Sequence, residues 1–95
     1  MTTVYRDWID GLRDTAGRAR ILVRVDRLAH GHPGQYRVIQ DGVLELKIDV
    51  GPGYRVYYTL RASELIILLA GGDKSSQRRD IARAIELSRG LEETA

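Results

Sequence analysis

The 95-residue sequence contains no cysteine, which excludes disulfide bridges, thiolate nucleophiles and sulfur-ligated zinc or iron sites. It also lacks a long hydrophobic run, because the longest apolar stretch, residues 65–70, is far shorter than the roughly 20 residues of a membrane-spanning helix. The first residues do not have the pattern of a secretory signal. We therefore expect one cytoplasmic domain over residues 1–95, with no membrane association.

Lysine is scarce, since 13 of the 15 basic residues are arginine and only Lys47 and Lys74 are lysine. Guanidinium groups bind phosphate in a bidentate manner, so the bias fits a phosphate-rich partner, although a GC-rich genome produces the same bias. His30 and His32 are the only histidines, and without a third histidine or any cysteine they do not predict a metal site. No metal and no cofactor is expected.

The N-terminal third has the apolar spacing of helices. A short helix is predicted over residues 4–12, and a second begins after a capping Asp14 and ends at the loop of residues 30–34, which contains glycine and proline. Arginines spaced three or four residues apart form a stripe on the second helix: Arg20, Arg24 and Arg27. Such a stripe is either a solvated face or a contact for an RNA backbone or an acidic partner.

Beyond residue 35 the apolar period changes to two, which predicts strands. The expected strands are residues 36–39, 43–50, 54–60 and 65–70, with a tight turn at Asp41-Gly42. The last strand, LIILLA, does not alternate, so it is expected to be central and covered on both faces. A final helix, capped by Ser75 or Ser76, completes an α+β fold of two N-terminal helices, a mostly antiparallel four-stranded sheet and a C-terminal helix.

The alternation of strand residues places Arg55 and Tyr57 on one sheet face, and Glu45 and Lys47 share that face if the strands pair as a hairpin. This face is expected to be exposed, because the opposite face is the more apolar one. Lys74 follows the last strand and can reach the same surface. The basic groups should therefore converge near the turn at residues 51–53.

Such a cluster suits a phosphate ester, because attack by a ribose 2′-hydroxyl needs a base, positive charge on the phosphate oxygens and an acid for the leaving oxygen. Arg55 and Lys74 are candidates for the charge, and Lys47 or Glu45 for proton transfer. Glu45 could instead hold a cation in place, and an exposed Tyr57 could stack on a base. The alternative is a charged strand surface with no catalytic role.

The stretch Gly71-Gly72-Asp73-Lys74-Ser75 precedes the final helix and suggests a phosphate-binding loop. The helix N-terminus would add anion affinity there. The stretch lacks the spacing of a Walker motif, so an ATPase is not expected.

The runs ARILVRVDRLAHGHPG, GVLELKIDVGPGYRVYY and LIILLAGGDKSSQRRDIARAIEL together resemble the RelE/HigB-type toxin superfamily, and within it the phage-related addiction-module killer proteins. The resemblance extends from Trp8 to Leu87. GPGYR, followed by GGDKS and then DI, is the most specific part. The resemblance to this family implies a fold of helices packed on an antiparallel sheet. It also implies that the protein is the toxin of a type II toxin–antitoxin pair.

The resemblance also implies a metal-independent endoribonuclease that cleaves mRNA, commonly in the ribosomal A site. Its expected partners are therefore mRNA, the ribosome and an antitoxin, which is expected to be a small helix-turn-helix protein. By position, the family's basic residues match Arg55, Lys47 and Lys74. Two features depart from the family: no strand precedes the first helix, and Asp80 lies near the place of a C-terminal tyrosine. The alternative is a binding module that has this fold but no catalysis and acts through its antitoxin or RNA.

Overall fold

The computed structural model describes residues 1–62 and 65–94, and it has the predicted α+β architecture of two helices, an antiparallel four-stranded sheet and a third helix. None of the described helices combines the length and the apolar character that a membrane crossing requires. The elements in chain order are α1 (Thr3–Gly11), α2 (Thr15–Ala29), β1 (Tyr36–Gln40), β2 (Val43–Ile48), β3 (Tyr54–Arg61), β4 (Leu65–Asp73), a 3₁₀ turn (Lys74–Ser76) and α3 (Gln77–Thr94).

The sheet is an antiparallel meander with the strand order β1-β2-β3-β4. β4 is therefore an edge strand, and the prediction that it would be central is wrong. Its sequence is apolar on both sides because α1 packs on one face and α3 on the other, so it is buried by helices and not by neighbouring strands. The outer edge of β1 has no strand partner among the described residues, and Val38 on this strand is 70% exposed.

The N-terminus contacts the outer edge of β4. Thr2 caps α1 by accepting a hydrogen bond from the Tyr5 amide, as a threonine before a helix commonly does. Its own amide donates to the Leu68 carbonyl at 3.0 Å, and its hydroxyl donates to the Leu69 carbonyl at 2.6 Å. α1 begins at Thr3, and neither Met1 nor Thr2 is assigned to a strand.

The sheet separates two apolar clusters. α1 and α2 cover the face that carries alternate residues of β2 and β3, and α3 covers the opposite face. The first cluster contains Tyr5, Ile9, Ile21, Leu28, Leu46, Ile48, Tyr54, Val56 and Tyr58. The second contains Val43, Tyr57, Leu69, Ala70, Ala84 and Ile85. No face of the central strands is left to solvent, and this decides the environment of the basic residues.

Arg24 is the one arginine of the predicted stripe that is used inside the fold. Its Nη1 donates to the Lys47 carbonyl at 2.7 Å, and its Nη2 donates to the carbonyls of Pro33 and Gln35 at 2.9 and 3.1 Å. The guanidinium thus joins α2, the following loop and β2. The expectation of a uniform solvated or ligand-binding stripe is therefore wrong for Arg24, whereas Arg20 and Arg27 are exposed.

Replacing Arg24 by alanine is expected to lower the free energy of unfolding by about 2–3 kcal/mol, since it removes three charge-assisted hydrogen bonds and leaves the Lys47 carbonyl without its donor. Urea denaturation measures this. The matched control is Arg20→Ala, which removes an exposed arginine one helical turn away and should change the value by less than about 0.5 kcal/mol. Equal losses in the two variants would contradict this structural role of Arg24.

Candidate active site

The turn between β2 and β3 brings Arg55 and Lys74 to one corner of the molecule. Gly53 has a φ of +79°, a conformation that favours glycine. A Cβ at this position would lie 3.5 Å from Arg55 Nη1 and 3.5 Å from Lys74 Cβ. The glycine therefore leaves open the space between the two cationic residues, and it explains why a glycine stands just before the Tyr54-Arg55 pair.

Lys47 adds a third cation to this corner, which we call the cationic corner: Lys47, Arg55 and Lys74. Lys47 is the register partner of Arg55 across β2 and β3, so the two residues are direct neighbours on the same sheet face. Lys47 is half-buried, and Lys74 is exposed on the 3₁₀ turn. Neither lysine forms an ion pair within residues 1–62 and 65–94.

The sheet face that carries these residues is not the exposed surface that the sequence predicted. Arg55 is 5% exposed, and Glu45 and Tyr57 are each 0% exposed. The alternation placed the residues on the correct face, but α3 packs over that face. The expected exposure of Arg55, Glu45 and Tyr57 is therefore wrong, since a helix later in the chain covers their face.

Glu45 is the buried centre of a group of polar side chains, the Glu45 cluster: Arg37, Glu45, Arg55 and Gln77. Arg37 on β1 donates through Nε and Nη2 to the two carboxylate oxygens at 2.8 and 3.4 Å. Gln77 on α3 donates to Oε2 at 2.8 Å, and Arg55 Nε lies 3.8 Å from Oε1. Burial alone would raise the pKa of Glu45, but these hydrogen bonds and the charges of both arginines outweigh it and lower the pKa.

Tyr57 lies beside the Glu45 cluster and cannot stack on a base in this structure. Burial, and then the charges of Glu45 and Asp80, raise the pKa of its hydroxyl well above the ordinary value, so the phenol stays protonated at neutral pH. The hydroxyl has no hydrogen-bond partner of standard geometry among the described residues. Tyr57 therefore belongs to the interior beneath α3.

The Arg55 guanidinium is held from several sides. Nη1 donates to the Tyr54 carbonyl at 3.1 Å and lies 3.9 Å from Oδ1 of Asp49, an exposed residue at the start of the turn. Nε has no hydrogen-bond partner among the described residues, although Glu45 is close. Because Nη1 and the Lys74 Cβ both lie near Gly53, an anion that replaced the Asp49 carboxylate would contact the Arg55 guanidinium on the side that carries Lys74.

The paired glycines are part of β4 and not of a phosphate-binding loop, so that prediction is wrong. A Cβ at Gly71 would overlap the Trp8 ring, and a Cβ at Gly72 would overlap the Asp80 carboxylate and the Ser76 hydroxyl. Each glycine therefore lets one helix approach β4, with α1 on one face and α3 on the other. The two adjacent glycines are therefore required for the packing of α1 and α3 against β4.

Gly71→Ala is expected to destabilise the fold by about 1–3 kcal/mol, because the Trp8 ring must move to accept the methyl group. Urea denaturation followed by the fluorescence of this single tryptophan measures the change. Gly90→Ala is the control, since a Cβ there meets nothing within 4 Å and alanine favours a helix, so a stabilisation of about 0.5–1 kcal/mol is expected. An equal effect of the two substitutions would contradict the packing role of Gly71.

The N-terminus of the final helical segment is capped from within the chain. Asp73 accepts from the Ser75 amide at 2.8 Å and from the Ser75 hydroxyl, and Ser76 completes a capping box. The Ser75 hydroxyl bond holds the pKa of Asp73 below its ordinary value. Asp73 is thus the N-cap of the 3₁₀ turn that leads into α3, and its carboxylate uses amides that an external phosphate would need.

Two residues of the Glu45 cluster were not recognised from the sequence. Arg37 is the register partner of Glu45, and their placement on either side of the Asp41-Gly42 turn is a signal that could have identified the pair. Gln77 comes from α3, and no local pattern links it to β2. Asp80, by contrast, is buried and accepts from the Ser76 hydroxyl, which fills the space above Gly72.

Comparison with known proteins gives the family. Residues 7–89 match the model of the family described as phage derived protein Gp49-like (DUF891). An uncharacterized protein of Haemophilus influenzae is 41% identical over 90 residues, which cover 95% of this chain and 91% of the relative. No solved structure gives a significant match. The chain therefore belongs to the phage-derived Gp49-like family, a toxin-like family of the addiction-module type.

Proposed function

We propose that the protein is the toxin of a type II toxin–antitoxin pair and a RelE/HigB-type endoribonuclease that cleaves mRNA without a metal. The observation that carries this proposal is the convergence of Arg55 and Lys74 on the open space beside Gly53, with Lys47 paired to Arg55 on the neighbouring strand. Membership of a toxin-like family supports it. The substrate class is a ribose phosphodiester, since the chemistry needs a free 2′-hydroxyl.

The proposed reaction is an internal transfer. The ribose 2′-oxygen attacks the adjacent phosphorus, the phosphorus–O5′ bond breaks, and the products are a 2′,3′-cyclic phosphate and a free 5′-hydroxyl. Lys74 and the Arg55 guanidinium stabilise the negative charge that grows on the phosphate oxygens. The substrate phosphate takes the place of Asp49 beside Arg55 Nη1.

Proton transfer is assigned to Lys47 and not to Glu45. A base must come within hydrogen-bond reach of the 2′-hydroxyl, and Glu45 is fully buried with its oxygens bonded to Arg37 and Gln77. Glu45 therefore has the other role that its sequence position suggested, which is to hold a cation. Lys47, half-buried beside Arg55, carries a proton as an ammonium and donates it to the leaving 5′-oxygen, while water takes the 2′-proton.

RNA and protein partners follow from this proposal. Arg20 and Arg27 lie one helical turn on either side of Arg24 and are exposed, so we assign them to the RNA backbone. Ser75 is not assigned to RNA, because its hydroxyl is bonded to Asp73. The ribosome presents the mRNA, and a helix-turn-helix antitoxin neutralises the toxin.

A second candidate function is a binding module that acts through its antitoxin or RNA without cleavage. The observation that favours it is the near-complete burial of Arg55, whose guanidinium is held by Tyr54 and two carboxylates. In that case RNA would bind at the exposed Lys74 without contact to Arg55.

The test is to incubate the purified protein with a defined mRNA, with and without translating ribosomes, and to map the RNA ends. We expect cleavage with 5′-hydroxyl and 2′,3′-cyclic phosphate ends. In the reaction without ribosomes a chelator should leave this cleavage unchanged, since none of the proposed steps uses a metal. Intact RNA in both reactions, together with measurable RNA binding, would reject the nuclease and support the binding module. Loss of cleavage in the chelator would reject the metal-independent reaction.

A further inference from the structure

We infer that Arg37 and Gln77 are positioning residues of the site, which set the orientation of the Arg55 guanidinium through the Glu45 carboxylate. This inference rests on the proposed function. It assigns a task to two residues that do not line the cationic corner. Arg37 comes from β1 and Gln77 from α3, so the first strand and the last helix both act on the arginine of β3.

The first step is that three side chains with N–H donors surround the Glu45 carboxylate: Arg37, Gln77 and Arg55. Arg37 and Gln77 make short hydrogen bonds to Glu45, with closest distances of 2.8 Å each. Arg55 Nε is 3.8 Å from Oε1, which is an ion-pair distance without a hydrogen bond. Glu45 is thus held slightly away from Arg55 by its other two partners.

The second step is the effect on Arg55 of the 3.8 Å distance between its Nε and Glu45 Oε1. Its Nη1 is bonded to the Tyr54 carbonyl, so the guanidinium is fixed at that nitrogen and its Nε end is restrained only by charge. In an interior of low dielectric constant, a carboxylate that loses a donor closes on the nearest unpartnered donor. Two unpartnered donors lie beside Glu45, the Tyr57 hydroxyl and Arg55 Nε, and Nε is 3.8 Å from Oε1 and carries the charge. A bond at Nε would turn the guanidinium away from Gly53 and Lys74.

The third step is the exposure of the two positioning residues. The Arg37 side chain is 53% exposed, and Gln77 is half-buried at the start of α3. Removing either side chain creates no large cavity, unlike the loss of a fully buried apolar residue. Their removal should therefore change the orientation of Arg55 more than it changes the stability of the fold.

The experiment uses the full chain with Arg37→Ala and Gln77→Ala, and Arg89→Ala as the matched control. Arg89 also pairs with a carboxylate, that of Asp41 at 2.7 Å, but in an exposed ion pair outside the Glu45 cluster. The first readout is the NMR signal of the Arg55 Nε–H group, assigned by its loss in Arg55→Lys. We expect this signal to shift and its exchange with water to slow in both test variants, because Nε gains a hydrogen bond, and to stay unchanged in the control.

The second readout is RNA cleavage. We expect kcat to fall by about tenfold to a hundredfold in both test variants with KM changed by less than about twofold, since a displaced Arg55 loses contacts in the transition state. Arg37→Lys, which keeps the charge and one donor, should recover most of kcat. A role limited to stability would lower the melting temperature and leave kcat of the folded protein unchanged.

The outcomes separate the two proposals. An unchanged Arg55 Nε signal in both test variants overturns the inference, whether or not the wild type cleaves RNA. Unchanged kcat in both variants of an active enzyme overturns it as well. A wild type without cleavage overturns the proposed function, and a shifted Arg55 signal in that case still supports the coupling through Glu45. Should Arg37→Ala not fold, Gln77→Ala gives the same test, because it removes only a neutral donor.

Discussion

Arg55→Lys is expected to lower the rate of RNA cleavage by about 10²- to 10³-fold, the loss that follows when one donor to a developing oxyanion is removed. Lysine keeps the charge but loses the planar fork, and its ammonium cannot both retain the bond to the Tyr54 carbonyl and reach the space beside Gly53. Single-turnover cleavage of a defined mRNA measures the rate. Lys74→Ala should give a loss of the same order, because this exposed lysine meets the same phosphate.

The controls for this prediction separate chemistry from folding. Lys74→Ala removes an exposed side chain and should leave the free energy of unfolding within about 0.5 kcal/mol of the wild type. Arg83→Ala removes an exposed arginine of α3 that lines a groove beside Thr2, and it should cleave RNA at the wild-type rate. If Arg55→Lys and Lys74→Ala both cleave RNA at the wild-type rate, the cationic corner has no catalytic role.

Glu45→Ala is expected to destabilise the fold by about 3–5 kcal/mol, the usual result of removing one partner from a buried ion pair. Arg55 would then remain buried without its inner carboxylate, and Arg37 and Gln77 would lose their acceptor. The matched substitution is Asp49→Ala, because Asp49 also lies within 4 Å of Arg55 but is exposed to solvent. It should change the free energy of unfolding by less than about 1 kcal/mol.

Urea denaturation of both variants measures the difference. If Glu45→Ala does not fold, Glu45→Gln keeps the shape and one acceptor, and it should still be less stable than Asp49→Ala. Equal stabilities of Glu45→Gln and Asp49→Ala would show that the buried carboxylate contributes no more than the exposed one. Because the pKa of Glu45 is lowered in the folded state, its contribution to the free energy of unfolding depends on pH. The contribution is fully present above the unfolded-state pKa of the carboxyl, and it is lost as the pH falls through the lower folded-state pKa.

Much of the fold was predictable because it is encoded locally. Asp14 caps α2 through a 3.0 Å bond to the Gly17 amide, and the Asp41-Gly42 turn joins the first two strands, both as expected. The predicted core positions of β2 face the first apolar cluster. The position of β4 was not predictable from its own residues, since an apolar strand at an edge between two helices has the same pattern as a central strand.

The grouping of the basic residues was predictable, but their environment was not. Lys47 and Arg55 are register partners, and Arg55 Nη1 and Lys74 Cβ both lie near Gly53. The burial of Arg55 depends on α3, which is distant in sequence from β2 and β3. For the same reason the strand pattern alone places Glu45 at the surface, and no local pattern points to Gln77. Arg24 was grouped with its exposed neighbours because the spacing of arginines does not reveal backbone acceptors.

The two edge strands of the sheet, β1 and β4, differ in how well their backbone groups are protected from pairing with another molecule. Thr2 contacts the edge at β4 through the Leu68 and Leu69 carbonyls, whereas the outer edge of β1, beside the largely exposed Val38, has no strand partner in the described part of the chain. We therefore expect a strand of another molecule to extend the sheet at β1 before β4. Arg37 and Gln40 place a charge and an amide on the strand at which another molecule would add. If these two side chains are replaced by apolar ones, we expect concentrated solutions to aggregate through the edge at β1.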